Sequence, residues 1–119
     1  MKLRILSDIH LEHNTPDAVP DCEADVVILA GDIANGRDGI DWAARAFDVP
    51  VLYVPGNHEY YESTFDKVYD LMANGAAEAD NVTLLNGSVA TFEDDEGRRV
   101  RVIGTTWWTD YALYGENRI

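Results

Sequence analysis

Three short motifs contain the side chains of this sequence that are best suited to chemistry. They are Asp8-x-His10, Gly31-Asp32 and Gly56-Asn57-His58-Glu59, and each follows a short apolar run. Such a run predicts a buried strand. Carboxylate and amide oxygens together with imidazole nitrogens form a donor set that suits Mn, Fe, Zn or Mg. The motifs therefore predict a divalent metal site, provided that the fold brings them together.

Each motif also has a purely structural interpretation. Asp8-x-His10 could be a turn with a surface histidine, and Gly31-Asp32 could be a plain turn. Asn57 could cap a helix that begins near Glu62, or could accept a left-handed backbone. What favours a shared site is that all three motifs occur in order, each at the end of a predicted strand.

The elements around the motifs predict an α/β fold with a mostly parallel sheet, because strands and helices alternate. In an open parallel sheet, ligands gather beyond the carboxyl ends of the strands, so the three motifs should converge there. A hairpin follows, with the acidic turn Glu93–Gly97 between its strands. We predict strands at Leu3–Ser7, Asp25–Ala30, Val49–Val54, Val82–Leu85, Ser88–Phe92 and Val100–Ile103, helices at Gly39–Phe47 and Glu62–Ala77, and a connecting loop over residues 11–24.

Composition predicts one packed domain over residues 1–119. Hydrophobic residues make up 46% of the chain and charged residues 26%, which is ordinary for a globular protein. No apolar run approaches the ~18 residues of a membrane span, and the first six residues are too short for a secretory core. We therefore expect a cytoplasmic protein without a membrane partner.

Cys22 is the only cysteine, which excludes an internal disulfide and a thiolate metal cluster.

The charge balance argues against a nucleic-acid partner. Twenty-two acids against nine Lys plus Arg give a formal net charge of -13, and such a field repels phosphates unless bound cations reverse it locally. The basic cluster Arg98-Arg99-Val100-Arg101 lies in a predicted edge strand, where positive charge also prevents edge pairing. Most of the acids are interpreted as a solvated surface, with adaptation to high salt as an alternative.

The three motifs resemble the first three motifs of the calcineurin-like metallophosphoesterases. Ser7-Asp8-Ile9-His10-Leu11 and the stretch from Gly104 to Asp110 are similar to a bacterial branch of that family. The resemblance implies the N-terminal half of an αββα sandwich, with flanking helices on a mostly parallel first sheet and a β-hairpin. It also implies hydrolysis of phosphate mono- or diesters, in the full-length form, by a hydroxide that two divalent metal ions activate.

The same resemblance implies roles for six residues. Asp8 and His10 would bind the first metal, Asp32 would bridge both metals, and Asn57 would bind the second. His58 would face the phosphate or the leaving group as a catalytic residue. Asn35 stands where many family members have an acid that orients this histidine; an amide can orient it by a hydrogen bond but carries no charge.

The sequence lacks three histidines that the family pattern requires in later motifs. Its only histidines are His10, His13 and His58. We therefore expect a truncated, partial domain that is inactive alone and associates with itself through exposed sheet surface. The alternative is a non-catalytic metal- or protein-binding module on the same fold. His13 is interpreted as a solvated loop residue. A wall for an organic leaving group and core packing are two interpretations of the aromatic residues Tyr60, Tyr61, Trp107 and Trp108.

Overall fold

The computed structural model describes residues 1–13 and 19–115. The predicted α/β architecture, with a parallel sheet, two helices and a hairpin, is confirmed. The predicted loop over residues 11–24 falls partly outside the described residues. In chain order the elements are β1 (Leu3–Leu6), β2 (Val26–Ala30), α1 (Asp38–Ala46), β3 (Val51–Val54), a 3₁₀ turn (His58–Tyr60), α2 (Phe65–Glu78), β4 (Val82–Leu84), β5 (Ser88–Glu93) and β6 (Arg99–Gly104).

The first four strands form one parallel sheet in the order β1-β2-β3-β4. Both helices cover one face of this sheet and the hairpin covers the other, which explains why β2 and β3 are almost continuously apolar. The side chains of this layer are closely packed, and the fully buried Tyr53 lies among them. The buried cluster contains Val27, Leu29, Ile33, Ile40, Ala43, Phe47, Val51, Tyr53, Val68, Met72 and Val82.

The antiparallel hairpin β5-β6 covers the other face of the sheet. Its side chains alternate between half-buried and exposed, as expected for a strand pair with one face on a core. Ala90, Phe92 and Val102 pack against a second buried cluster formed by Val26, Leu52 and Leu85. The chain thus has three layers, which are helices, parallel sheet and hairpin.

Two predicted boundaries differ from the structure by more than one residue, and local backbone chemistry gives the reason. Helix α2 begins at Phe65 and not at Glu62, because Glu62 has a left-handed φ of 68° that a helix cannot contain. Thr64 caps this helix and accepts a hydrogen bond from the Lys67 N–H at 3.4 Å. Strand β3 begins at Val51 and not at Val49, since Pro50 has no N–H to donate to the ladder.

Neither helix in the described part of the chain is both long and apolar enough to cross a membrane.

Candidate metal centre at the strand ends

The carboxyl ends of three adjacent parallel strands carry the residues that the sequence singled out. Asp8 follows β1, Asp32 follows β2 and Asn57 follows β3. All three line a cleft of about 390 Å³ between the end of the sheet and the hairpin. The three motifs therefore converge, as the parallel arrangement predicts.

Asp8, His10 and Asp32 form a compact group of potential metal ligands. One ligand atom from each residue lies within 4.8 Å of those of the other two. Asp8 is exposed, whereas His10 and Asp32 are half-buried. Two carboxylates and an imidazole at this spacing fit a hard or borderline divalent cation, so the residues that are present can hold the metal that the donor set predicts.

The backbone at this group is held in a conformation that non-glycine residues rarely adopt. Asp8, His10 and Asp32 have φ values of 55°, 51° and 55°. Left-handed aspartate and histidine are uncommon, and such residues cluster at functional sites, where surrounding structure stabilises them. The same three residues thus share both close ligand atoms and backbone strain.

Hydrogen bonds between the motifs stabilise this strained backbone. The Asp8 N–H donates to the Gly31 carbonyl at 3.0 Å, and the His10 N–H donates to the Asp32 carbonyl at 3.1 Å. The His58 N–H donates to Asp32 Oδ1 at 2.9 Å. The first and third motifs are therefore both fastened to the second.

Two glycines allow the motifs to approach so closely. Gly31 has a φ of 88°, and a Cβ there would lie 3.0 Å from the Gly56 Cα. A Cβ on Gly56 would collide with the side chain of Asp32 and lie 2.6 Å from its backbone nitrogen. The tight turns expected at both glycines are present, and any larger side chain would force the motifs apart.

Glu59 is the organising residue whose role the sequence analysis did not identify. It is fully buried, at 0% exposure. Its Oε2 accepts the N–H groups of Asp32 at 3.0 Å and Gly56 at 2.8 Å. Its Oε1 accepts the Ile33 N–H at 2.8 Å and the Tyr53 hydroxyl at 2.9 Å. One buried carboxylate therefore connects the second motif to the third from beneath, where donors satisfy both of its oxygens.

Tyr53 is well suited to donate to that carboxylate. Burial, followed by the negative charge of Glu59, raises the pKa of its hydroxyl well above 10.0, so the hydroxyl keeps its proton. Gly39 in α1 leaves the room for this hydroxyl, because a Cβ there would collide with it. Glu59 follows the polar residues of its motif directly. Nothing in the sequence indicates that two of its partners, Asp32 and Ile33, lie 27 and 26 residues away along the chain.

Asn57 does not cap a helix. It precedes the 3₁₀ turn without a side-chain cap hydrogen bond, and the cap of α2 is Thr64. The Asn57 amide Nδ2 instead donates to the Tyr61 hydroxyl at 3.4 Å. This contact orients the amide through its nitrogen and leaves the carbonyl oxygen to act as a ligand.

His58 lies beside His10, with their ring centroids 4.7 Å apart in an edge-to-face arrangement. The Tyr61 ring lies 4.2 Å away on centroids. The Asn35 Oδ1 makes no hydrogen bond to the His58 ring, because it is buried without any hydrogen-bond partner. A carboxylate oxygen near the His58 ring belongs to Glu12, whose Oε1 lies 3.7 Å from the His58 Nδ1.

Glu12 is a second residue that the sequence analysis missed. Its Oε1 accepts a hydrogen bond from the His10 Nδ1 at 2.9 Å. This hydrogen bond is the main cause that raises the pKa of His10 above 6.5. Burial raises the pKa of Glu12, whereas the hydrogen bond from His10 lowers it. The net result is a pKa below the ordinary value of 4.5. The sequence hint was its position two residues after His10.

An aromatic cavity adjoins the cleft. Its volume is about 560 Å³, and it shares Asn57 and Trp107 with the cleft. Tyr60, Phe65 and Trp108 form one wall, with ring centroids 5.1 to 5.7 Å apart. Of the four aromatic residues singled out in the sequence, Tyr60 and Trp108 therefore pack against each other, while Trp107 is 93% exposed.

Comparison with known proteins decides the family. A model of the calcineurin-like phosphoesterases matches residues 1–116. The chain belongs to this family. Its parallel sheet, two helices and hairpin are consistent with the N-terminal half of the metallophosphoesterase fold, as the resemblance of the motifs implied.

Two curated relatives match this phosphoesterase chain over different shares of their length. It is 27% identical over 139 aligned residues to an uncharacterized protein of Acanthamoeba polyphaga mimivirus, covering 98% of the chain and 48% of the relative. It is 34% identical over 93 residues to the acyl-carrier-protein phosphodiesterase PptH of Mycobacterium tuberculosis, covering 66% of the chain and 29% of the relative. The chain thus spans about half of the first relative and less than a third of the second.

Proposed function

We propose that the chain supplies part of a metal-dependent phosphoester hydrolase, with Asp8, His10, Asp32 and Asn57 holding two divalent cations. The observation that carries the proposal is the group of Asp8, His10 and Asp32, with ligand atoms within 4.8 Å and all three residues in left-handed backbone. Family membership supports phosphoester hydrolysis as the reaction class. Mn, Fe, Zn and Mg all suit these donors.

Divalent cations at this place would supply Lewis acidity for the phosphoryl oxygens and for an attacking water. The residues of the chain have distinct tasks in the proposal. Asp32 lies in the cleft with both Asp8 and Asn57, so its carboxylate is suited to serve both cations. The His58 N–H fixes Asp32 Oδ1, which stabilises the orientation of the shared ligand.

His58 is proposed as the catalytic residue that faces the phosphate or the leaving group. Its ring lies close to the rings of both His10 and Tyr61. An imidazole beside the cleft can donate a proton to the departing oxygen or stabilise charge on the phosphoryl group. Asn35 enters the proposal only as an orienting amide, and its Oδ1 makes no hydrogen bond in the structure.

The substrate class in the proposal is a phosphate ester, and we take a diester as the first substrate to test. One relative bears the name phosphodiesterase, which supports this choice. The formal charge of -13 supports a requirement for bound cations before a phosphate can approach. The cytoplasm is the proposed location.

Asp32→Asn tests the proposal, because it keeps the size of the side chain and removes the charge that the cations share. Calorimetric titration of the chain with Mn²⁺ should show binding that weakens at least about 100-fold in the variant, since even outer-shell changes cost 10–100-fold. The protein that contains the chain should hydrolyse bis(4-nitrophenyl) phosphate with Mn²⁺ and lose this activity in the variant.

The matched control is Asp38→Asn, which removes one exposed carboxylate at the start of α1. It should leave Mn²⁺ affinity and turnover unchanged. Equal Mn²⁺ affinity in the wild type and Asp32→Asn, or turnover that persists in chelator, would refute the proposal. Cation binding without hydrolysis of mono- or diesters would favour the non-catalytic metal-binding module instead.

A further inference from the structure

All three histidines of the chain converge on one carboxylate oxygen. Glu12 Oε1 lies 2.9 Å from the His10 Nδ1, 3.7 Å from the His58 Nδ1 and 3.8 Å from the His13 Nε2. The Glu12 side chain is only 15% exposed. A carboxylate that is largely withdrawn from water is costly unless polar neighbours compensate it, so this arrangement needs a reason.

The shortest of these contacts determines which nitrogen of His10 faces the candidate metal centre. Because Glu12 accepts the hydrogen bond at Nδ1, a neutral His10 carries its proton there. The lone pair is then on Nε2, which is the nitrogen that lies 3.8 Å from Asp8 Oδ1. The hydrogen bond therefore selects the tautomer that can act as a ligand next to Asp8.

The backbone does not need Glu12 to hold His10 in place. The His10 N–H donates to the Asp32 carbonyl, and the next residue, Leu11, donates its N–H to the Ile33 carbonyl at 2.8 Å. These bonds fix where the His10 side chain starts but not how its ring is turned. Ring orientation and tautomer are the properties left for Glu12 to determine.

Glu12 also lies near His58, although the family resemblance implied that Asn35 would orient this histidine. The Asn35 Oδ1, however, is buried without a partner. The 3.7 Å between Glu12 Oε1 and the His58 Nδ1 is beyond a hydrogen bond but short enough for a charge interaction with a protonated imidazole. The second oxygen, Glu12 Oε2, is buried without a partner.

We infer that Glu12 is a positioning residue that fixes the ring of His10 with Nε2 toward Asp8 and supplies the carboxylate for His58 in place of Asn35. The part that concerns His10 stands on the geometry of the chain alone. The part that concerns His58 rests on the proposed hydrolase function.

The test compares Glu12→Met with Glu12→Gln in the metal-free chain. Methionine keeps the length of the side chain but is a poor acceptor, whereas glutamine keeps an oxygen acceptor and loses the charge. Long-range ¹H–¹⁵N NMR of the His10 ring, at a pH of about 9, well above the ordinary pKa of a histidine, reports the tautomer. We expect the Nδ1–H form in the wild type and Glu12→Gln, and loss of that preference in Glu12→Met.

Mn²⁺ titration gives a second readout of the same variants. Glu12→Met should weaken binding about 10–100-fold, and Glu12→Gln should restore most of it. Glu12→Ala serves as a second variant without an acceptor if Glu12→Met does not fold. The control is His13→Gln, which changes the 75% exposed neighbour of Glu12 and should alter neither the tautomer nor the affinity.

Three results would overturn the inference. An unchanged His10 tautomer in Glu12→Met would show that Glu12 does not orient the ring. Equal loss of Mn²⁺ affinity in Glu12→Met and Glu12→Gln would show that its charge acts and not its hydrogen bond. Equal loss in His13→Gln would show that His10, Glu12 and His13, whose ligand atoms also lie within 4.8 Å, form a cation site themselves. Absence of Mn²⁺ binding by the wild type would refute the proposed metal centre, while the tautomer would still decide the role of Glu12 toward His10.

Discussion

At the scale of single residues, the strand ends combine strain with a dense set of hydrogen bonds. Asp8, His10 and Asp32 adopt left-handed backbone, at a cost of order 1–3 kcal/mol each. The cost is offset where the surrounding structure fixes the residue, as the bonds from Asp8 and His10 to the second motif do. Relaxing any of these residues would separate the ligand atoms, so the strain and the candidate metal centre depend on each other.

Glu59 is the residue on which this arrangement depends most, and we predict that Glu59→Gln destabilises the chain. The amide nitrogen would face at least one N–H donor that the carboxylate now satisfies, at Ile33 or at Asp32 and Gly56. Loss of hydrogen bonds to a charged acceptor costs about 1.5–3 kcal/mol. Urea unfolding followed by circular dichroism should show this decrease in the free energy of unfolding.

The control for Glu59→Gln is Glu62→Gln, the same change at an exposed position in the same segment. It should change the free energy of unfolding by less than about 0.5 kcal/mol, as surface substitutions usually do. Equal stability of Glu59→Gln and the wild type would show that the buried carboxylate does not hold the second and third motifs together.

At the scale of elements, the sequence predicts the strands well because their signals are local. The apolar run of β2 and its stop at Gly31 indicate both the strand and the place of Asp32. The helix start at Glu62 was wrong because that residue has a left-handed φ of 68°, which its type does not reveal. The role of Glu59 could not be predicted, since a partner such as Ile33 lies 26 residues from it and only the folded chain brings the two together.

The hairpin β5-β6 offers a prediction about pH. Asp94 closes its turn, where Oδ1 accepts the N–H groups of Glu96 and Arg98 and Oδ2 accepts the Arg98 Nε. The backbone hydrogen bond from Arg98 is the main cause that lowers the pKa of Asp94 below 3.8. A lowered pKa in the folded state adds stability above the ordinary value, and this stability is lost as the pH falls through the lowered value.

We therefore expect Asp94→Ala to lower the melting temperature at pH values near 7, with a difference from the wild type that shrinks below pH 3.8. Circular dichroism melts at a series of pH values measure this. Asp95→Ala, at the exposed neighbouring position, is the control and should melt like the wild type throughout. A difference between Asp94→Ala and the wild type that stays constant down to the lowest pH would exclude the carboxylate as its source.

At the scale of the whole molecule, two features act in opposite directions on association. The formal net charge of -13 keeps copies of the chain apart, and salt weakens this repulsion. On the hairpin side, Ile5 is 64% exposed and Ile103 is 74% exposed. Strand β6 pairs only with β5 among the described strands, so one of its edges is open to another chain.

Ile103→Lys should therefore reduce self-association of the chain, because it places a charge on this open edge beside Arg101 and removes exposed apolar surface. Sedimentation velocity at about 0.15 M salt, where the Debye length is about 8 Å, should show a lower mean mass for the variant than for the wild type at equal concentration. Leu71→Lys makes the same change in net charge on the exposed side of α2, where Leu71 is 45% exposed, and should associate like the wild type. If both variants reduce the mass equally, loss of any exposed apolar side chain is enough to reduce association, and the sheet and hairpin surface has no special part in it.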